Sequence, residues 1–159
     1  MGEVMKLPQA QALRESLRES GQTLVFTNGH FELLHIGHLD YLEKASKLGD
    51  ALFVGVNGDA STTRLKGAGR PLVPAAERAR LLAALAPVAA VIIFEEDTAD
   101  NLLRALQPDI YVKGGDYVNK PLPERATVEA YGGQVRLIEY LPQYSTTQLI
   151  DRTRKLNGD

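Results

Sequence analysis

Residues 27–42 read "TNGHFELLHIGHLDYL" and hold all three histidines of the chain, His30, His35 and His38. Imidazole is suited to proton transfer, metal binding or anion stabilisation near neutral pH. His35 and His38 stand three apart at the expected start of a helix, so both can lie on one face. Gly37 between them lets a ligand approach the backbone. A helix N-terminus flanked by imidazoles is an anion site: unpaired N–H groups, the helix dipole and side-chain donors converge there. Zinc is the rival reading. The helical zinc pattern is His-Glu-x-x-His, at i and i+4. Here the spacing is i, i+3 with no glutamate inside it, and His30 and Glu32 precede the helix.

Three further stretches carry chemistry. "RLKGAGRP" (64–71) has three cations and two glycines without apolar periodicity. It reads either as a solvated mobile loop or as a phosphate clamp with Lys66 or Arg70 closing on an anion. "KGGDY" (113–117) is a glycine turn that can bring backbone amides to a ligand, with Lys113 supplying charge. "STTQ" fits a capping box, Ser145 as cap and Gln148 three residues on. Its three hydroxyls at a helix start also suit a phosphate chain. Asn28-Gly29 reads equally as a strand-to-helix turn and as part of the site.

The elements that must position these groups alternate along the chain. A helix opens at Pro8, with Leu13 and Leu17 on one face, and ends at Gly21. Strands are predicted at 23–27, 51–57, 89–94, 109–113 and 134–140. Helices are predicted at 35–49, 75–86, 98–107, 124–133 and 145–156. Apolar strands without clean alternation imply a parallel sheet covered on both faces. The expectation is an α/β fold, a doubly wound five-stranded parallel sheet. In such a sheet ligands bind beyond the carboxyl ends of the strands, where strand order reverses. The histidines follow strand one, "KGGDY" strand four and "YSTTQ" strand five, so the chemistry falls at that edge.

Bulk properties exclude several classes. A chain of 159 residues with net charge −2 suits one domain and gives no sign of a nucleic-acid binder or a membrane-surface protein. Without cysteine there is neither a disulfide framework nor a thiolate metal site. No apolar run approaches the roughly 20 residues of a membrane span. "MGEVMKLPQA" has no signal-peptide core, and Lys6 stands where a myristoylation signal needs Ser or Thr. A cytoplasmic protein is expected.

In order, "TNGHFELLHIGH", "VGVNGDAS", "RLKGAGRP", "FEEDT", "PDIYVKGGDY", "GGQV" and "YSTTQLI" resemble the cytidylyltransferase-like nucleotidyltransferases. Within them the chain is most similar to heptose-phosphate adenylyltransferases, which occur alone or as the C-terminal domain of a bifunctional heptose kinase. The pair of histidines around Ile36-Gly37 marks the superfamily. "RLKGAGRP" with "VKGGDY" marks the heptose branch. That branch commonly has cysteine where His30 stands and aspartate where Glu32 stands, which leaves the roles of both residues open.

The resemblance implies a Rossmann-like nucleotidyltransferase domain over 1–159, with 1–21 a leading helix and 22–159 the α/β core. It implies transfer of AMP from ATP to a sugar phosphate, heptose 1-phosphate in this branch, with release of pyrophosphate. His35, His38 and Lys66 would be catalytic. Thr27, Asn28, Gly29, Phe31, Gly37, Lys113, Gly114, Ser145, Thr146 and Thr147 would hold nucleotide and phosphates. Glu32, Asp59, Arg70, Arg78, Gly115 and Asp116 would face the acceptor. No protein-held metal is expected; Mg²⁺ would ride on the triphosphate. Partners would be small molecules, not nucleic acid or membrane, and a homodimer stays open. Alternatives at this point are a cytidylyltransferase acting on an alcohol phosphate such as glycerol 3-phosphate, an FMN adenylyltransferase, and a nucleotide-binding regulatory module.

Overall fold

Successive residues of each apolar run point to opposite faces of one parallel sheet, and helices cover both faces. The computed structural model describes residues 1–156 and Gly158. Its elements are β1 (Glu3–Met5), α1 (Leu7–Glu19), β2 (Leu24–Gly29), α2 (Ile36–Ser46), β3 (Ala51–Asn57), α3 (Asp59–Lys66) and α4 (Ala75–Ala83). They continue with β4 (Ala90–Phe94), α5 (Asp100–Leu106), β5 (Ile110–Gly114), a 3-10 turn (Gly115–Val118), α6 (Arg125–Ala130), β6 (Gln134–Ile138) and α7 (Thr146–Leu156). The sheet order is β1-β4-β3-β2-β5-β6, with every pairing parallel. After β2 the chain moves outward through β3 to β4, then returns to add β5 and β6 on the other side. The switch point therefore lies between β2 and β5.

The doubly wound reading holds, with six strands instead of five. Leu24 and Phe26 of β2 pack in a cluster with Leu102, Leu103 and Leu106 of α5. Val25 faces the other way, into a cluster with Leu42 of α2 and Leu82 of α4. The added strand is β1, three residues long, paired with Ala90–Ile92. Gly2 makes this edge possible: a Cβ there would lie 2.4 Å from the Val88 carbonyl oxygen. The other addition is α3. Its sequence "DASTTRLK" lacks an apolar stripe, and its buried side chains are the hydroxyls Ser61 and Thr62. Part of the expected clamp loop is therefore helix, and Lys66 is its last residue. Strand β2 runs through Gly29, so Asn28-Gly29 is strand rather than turn.

At the amino ends of the strands, Arg14 of α1 is buried against the start of β5. It donates to both Asp109 carboxylate oxygens, at 3.0 and 3.1 Å, and to the carbonyls of Leu106 and Gln107. Asp109 also accepts from the Leu24 amide at 2.7 Å, which ties α1, β2 and β5 together. No helix among the described residues is long and apolar enough to cross a membrane.

Candidate active site

A cavity of about 300 Å³ opens at the carboxyl ends of β2 and β5. His38, Lys66, Lys113, Thr146 and Thr147 line it, together with Asn28 to Glu32. His35 is the N-terminal residue of α2, its backbone extended and its side chain making no cap. His38 lies one turn inside. The two rings stack with centroids 3.9 Å apart and planes 23° from parallel. The Nδ1 atoms of both rings are buried without a hydrogen-bond partner among the described residues.

Burial, and then the neighbouring His35, pull the His38 imidazole down to about 4, and burial lowers His35 as well. Both rings are therefore neutral at pH 7, each carrying one N–H. Phe31 holds the approach to them. Its backbone takes the left-handed φ of 47°, rare for a side chain of this size, and its ring lies 5.3 Å from His38. The strain sits at the turn that aims the two histidines.

Cations surround the cavity. Lys113 donates to the Asn28 carbonyl at 3.2 Å and lies 5.5 Å from the Tyr117 ring centre. Burial lowers its pKa, and it forms no ion pair among the described residues. Lys66 is exposed and likewise unpaired among the described residues. At the start of α7, Ser145 Oγ accepts from the Gln148 amide at 3.2 Å, one half of the expected capping box.

Several expected ligands are engaged elsewhere. Thr27 is fully buried, its hydroxyl between Tyr41 Oη (2.8 Å) and the Val112 carbonyl (2.9 Å), so its side chain does not reach the cavity. Gly37 makes room for protein: a Cβ there would meet Tyr144 Cβ at 2.9 Å and the His35 ring at 3.0 Å. Gly114 likewise makes room for Tyr140, whose ring would lie 2.0 Å from an added Cβ. Gly115 opens the 3-10 turn that carries Asp116 into an adjoining lobe beside His35 and Tyr140.

Arg78 is not an acceptor ligand here. Its side chain is fully buried and donates to the carbonyls of Val73 (2.7 Å), His30 (2.5 Å) and Asn57 (2.9 Å), and to Asp59 (3.0 Å). Asp59 also accepts from the Ala75 amide at 2.8 Å. Both are spokes of a loop-tying network. Glu32 and Arg70 line the cavity but bind each other. Burial alone would raise the Glu32 carboxyl; bonds from Arg70 and the Leu72 amide outweigh it and hold the group below its ordinary value.

His30, whose role the sequence left open, meets Thr62 Oγ1 at 3.0 Å through Nδ1. Burial, and next the Lys66 charge, lower its pKa to about 4. Two residues escaped sequence reasoning. Tyr41 and Tyr140 pack at 5.4 Å as an aromatic wall of the cavity. Tyr41 was findable, three residues after His38 on the same helix face. Tyr140 follows β6 and carries no motif.

These imidazoles set a pH dependence of stability. His30 and His38 titrate near 6.5 when unfolded and near 4 when folded. Between those values the unfolded chain binds more protons, so stability falls as the pH drops from about 6.5 towards 4 and is level above that window. Melting temperature measured from pH 8 to 4.5 is expected to show this break, and His30→Asn/His38→Asn to flatten it. A level wild-type profile from pH 6.5 to 4.5 would contradict the burial of both rings.

Comparison with known proteins places this geometry. A sequence model of the cytidylyltransferase-like family matches residues 26–152. The chain belongs to that family. Relatives named bifunctional protein HldE include one from Syntrophotalea carbinolica, 51% identical over 147 residues, covering 88% of this chain and 30% of the relative. Another, from Geotalea uraniireducens, is 48% identical over 151 residues, covering 95% of this chain and 31% of the relative. The chain thus spans less than a third of the length of these curated relatives. Among solved structures, the lipopolysaccharide core biosynthesis protein from Thermoplasma volcanium GSS1 superposes with a TM-score of 0.62 at 29% identity, over 79% of this chain and all of the other. The pantoate-beta-alanine ligase from Francisella tularensis, at 13% identity and the same TM-score, over 97% of this chain and 77% of the other, shares the fold.

Proposed function

We propose that residues 1–159 are a single nucleotidyltransferase domain that moves AMP from ATP to a sugar phosphate, heptose 1-phosphate, and releases pyrophosphate. The observation that carries this reading is the stacked His35–His38 pair at the start of α2, with His38 lining a cavity beside Lys66 and Lys113, neither ion-paired among the described residues, and His35 lining the adjoining lobe. An oxygen of the acceptor phosphate attacks the α-phosphorus, and the bond to the bridging oxygen of pyrophosphate breaks. The nucleophile needs no general base, because the second pKa of a phosphate monoester is about 6. The rate comes from placement and charge stabilisation. His35 and His38 donate to the triphosphate as negative charge moves to the leaving group. Lys66 holds the α-phosphate, Lys113 faces nucleotide and acceptor, and the start of α7 receives a phosphate.

Among the described residues a single carboxylate, Glu32, lines the cavity, and its oxygens already accept from Arg70 and Leu72. This donor set does not build a magnesium cage; Mg²⁺ enters with ATP as part of the substrate. The choice of heptose rests on the resemblance of "RLKGAGRP", "VKGGDY" and "YSTTQLI" to that branch. The names of the similar proteins, bifunctional protein HldE and a lipopolysaccharide core biosynthesis protein, agree with it.

The test is pyrophosphate release from ATP and CTP, each with heptose 1-phosphate, glycerol 3-phosphate and FMN. The highest kcat/KM is expected with ATP and heptose 1-phosphate. Higher efficiency with CTP and glycerol 3-phosphate would move the chain to another branch, and nucleotide binding without turnover would make it a sensor. In the same assay Lys66→Ala is expected to lower kcat by about 10²-fold, as loss of a charge-stabilising donor does. Its melting temperature should stay at the wild-type value, because the side chain is exposed and bonds to none of the described residues. A large drop in melting temperature would make Lys66 structural.

A further inference from the structure

We infer that Glu32 is a positioning residue, which anchors the segment after α3 and so aims Lys66 into the cavity. The inference rests on the nucleotidyl-transfer reading for its effect on rate, though the anchor itself does not. The Glu32 side chain is 2% exposed. Its donors all come from one short segment: Arg70 through Nε at 2.8 Å and through Nη2, and the Leu72 amide at 3.0 Å. A carboxylate has about four lone-pair sites, and three are engaged. Glu32 therefore has little left to offer an acceptor, and Arg70, paired with it, is not a free cation.

What the anchor restrains is the turn between Lys66 and Arg70. Gly67 and Gly69 there have φ of 101° and 83°, and a Cβ on either would touch nothing within 4 Å. Beyond the bonds from the Gly67 amide to the Thr63 carbonyl (2.9 Å) and from the Arg70 amide to the Gly67 carbonyl (3.3 Å), the turn is held at its ends. One end is α3, whose Thr63 hydroxyl bonds the Arg70 carbonyl at 2.6 Å. The other is the Glu32 carboxylate. Glu32 is held in turn by Phe31, whose strained backbone and buried ring sit against His38. The chain of contacts His38–Phe31–Glu32–Arg70 thus sets the Lys66 turn relative to the histidine pair. Lys66 and His30 both line the cavity wall.

A double-mutant cycle on kcat/KM tests the link. Glu32→Gln is expected to lower kcat/KM by about tenfold in the wild type and by less than about twofold in a Lys66→Ala background, because a positioning residue has nothing to position there. Equal losses in both backgrounds would overturn the link and make Glu32 an independent acceptor ligand or a fold support. A second arm needs no activity. Native-state trypsin should cut after Arg64 and Lys66 about tenfold faster in Glu32→Gln and in Arg70→Ala, the milder variant that removes the more exposed partner. Unchanged cleavage in a folded Arg70→Ala protein would overturn the anchor. If no acceptor supports turnover, the transfer reading fails and the proteolysis arm alone decides the anchor.

Discussion

His38→Ala is expected to lower kcat by about 10²–10³-fold, the usual consequence of removing one preorganised donor from a developing anion. The ring is fixed from several sides. His35 stacks on it, Phe31 abuts it and α2 carries its backbone. It is also kept neutral by burial, so in the free protein its N–H is set without a competing counter-ion. Alanine keeps the helix and removes the donor together with the ring that His35 and Phe31 pack on. The KM for ATP should change much less than kcat, because the contact strengthens as charge moves onto pyrophosphate. His35→Ala should behave alike. The double variant should lose less than the product of the two, since the stacked rings act as a unit. Steady-state kinetics with pyrophosphate detection checks this; unchanged turnover in both single variants would remove the histidines from the chemistry.

The largest stability effect is expected at Arg78. Arg78→Ala should cost about 3–5 kcal/mol, in the range for breaking a buried charged network. The carbonyls of Val73, His30 and Asn57 would lose their donor together. In a domain of this size that corresponds to a fall in melting temperature on the order of 10 °C. Arg78→Lys should recover little, because one ammonium cannot span acceptors placed for a planar five-donor fork. Thermal unfolding at pH 7.5 is the measurement. A loss below about 1 kcal/mol would mean that water replaces the guanidinium, against its complete burial.

The reach of the sequence follows from what kind of signal each part leaves. Strands β2 to β5 are largely apolar runs, and burial on both faces is written in their composition, whereas the edge strand β6 alternates exposed Gln134 and Arg136 with half-buried Val135 and Leu137. Strand β1 is three residues with no pattern, and only its pairing with Ala90–Ile92 defines it. Helix α3 was missed because hydroxyls, not an apolar stripe, face its interior. In the site, His35, His38 and Lys113 stood out because each belongs to a short motif at or after a strand end, and Lys66, at the end of α3, because it sits in a short glycine-rich cationic stretch. The partnerships were not. Glu32 meets Arg70 across 38 positions, and Asp59 meets Arg78 across 19. Residue types alone leave a charge free to be ligand or strut. Its burial and the direction of its donors decide, and those are properties of the fold.

The clamp of Arg14 on Asp109 stands at the opposite end of the sheet from the cavity. Five residue steps along β2, roughly 16 Å, separate Leu24, which shares Asp109, from Gly29 at the cavity. Sites that far apart without shared partners behave additively. The amino rim therefore holds a bonded clamp of its own, apart from the reactive groups at the carboxyl rim. Robustness can be altered at the amino rim, by directed evolution or by drift, without retuning reactivity at the carboxyl rim. That independence gives a fold of this kind room to change substrates while keeping its frame.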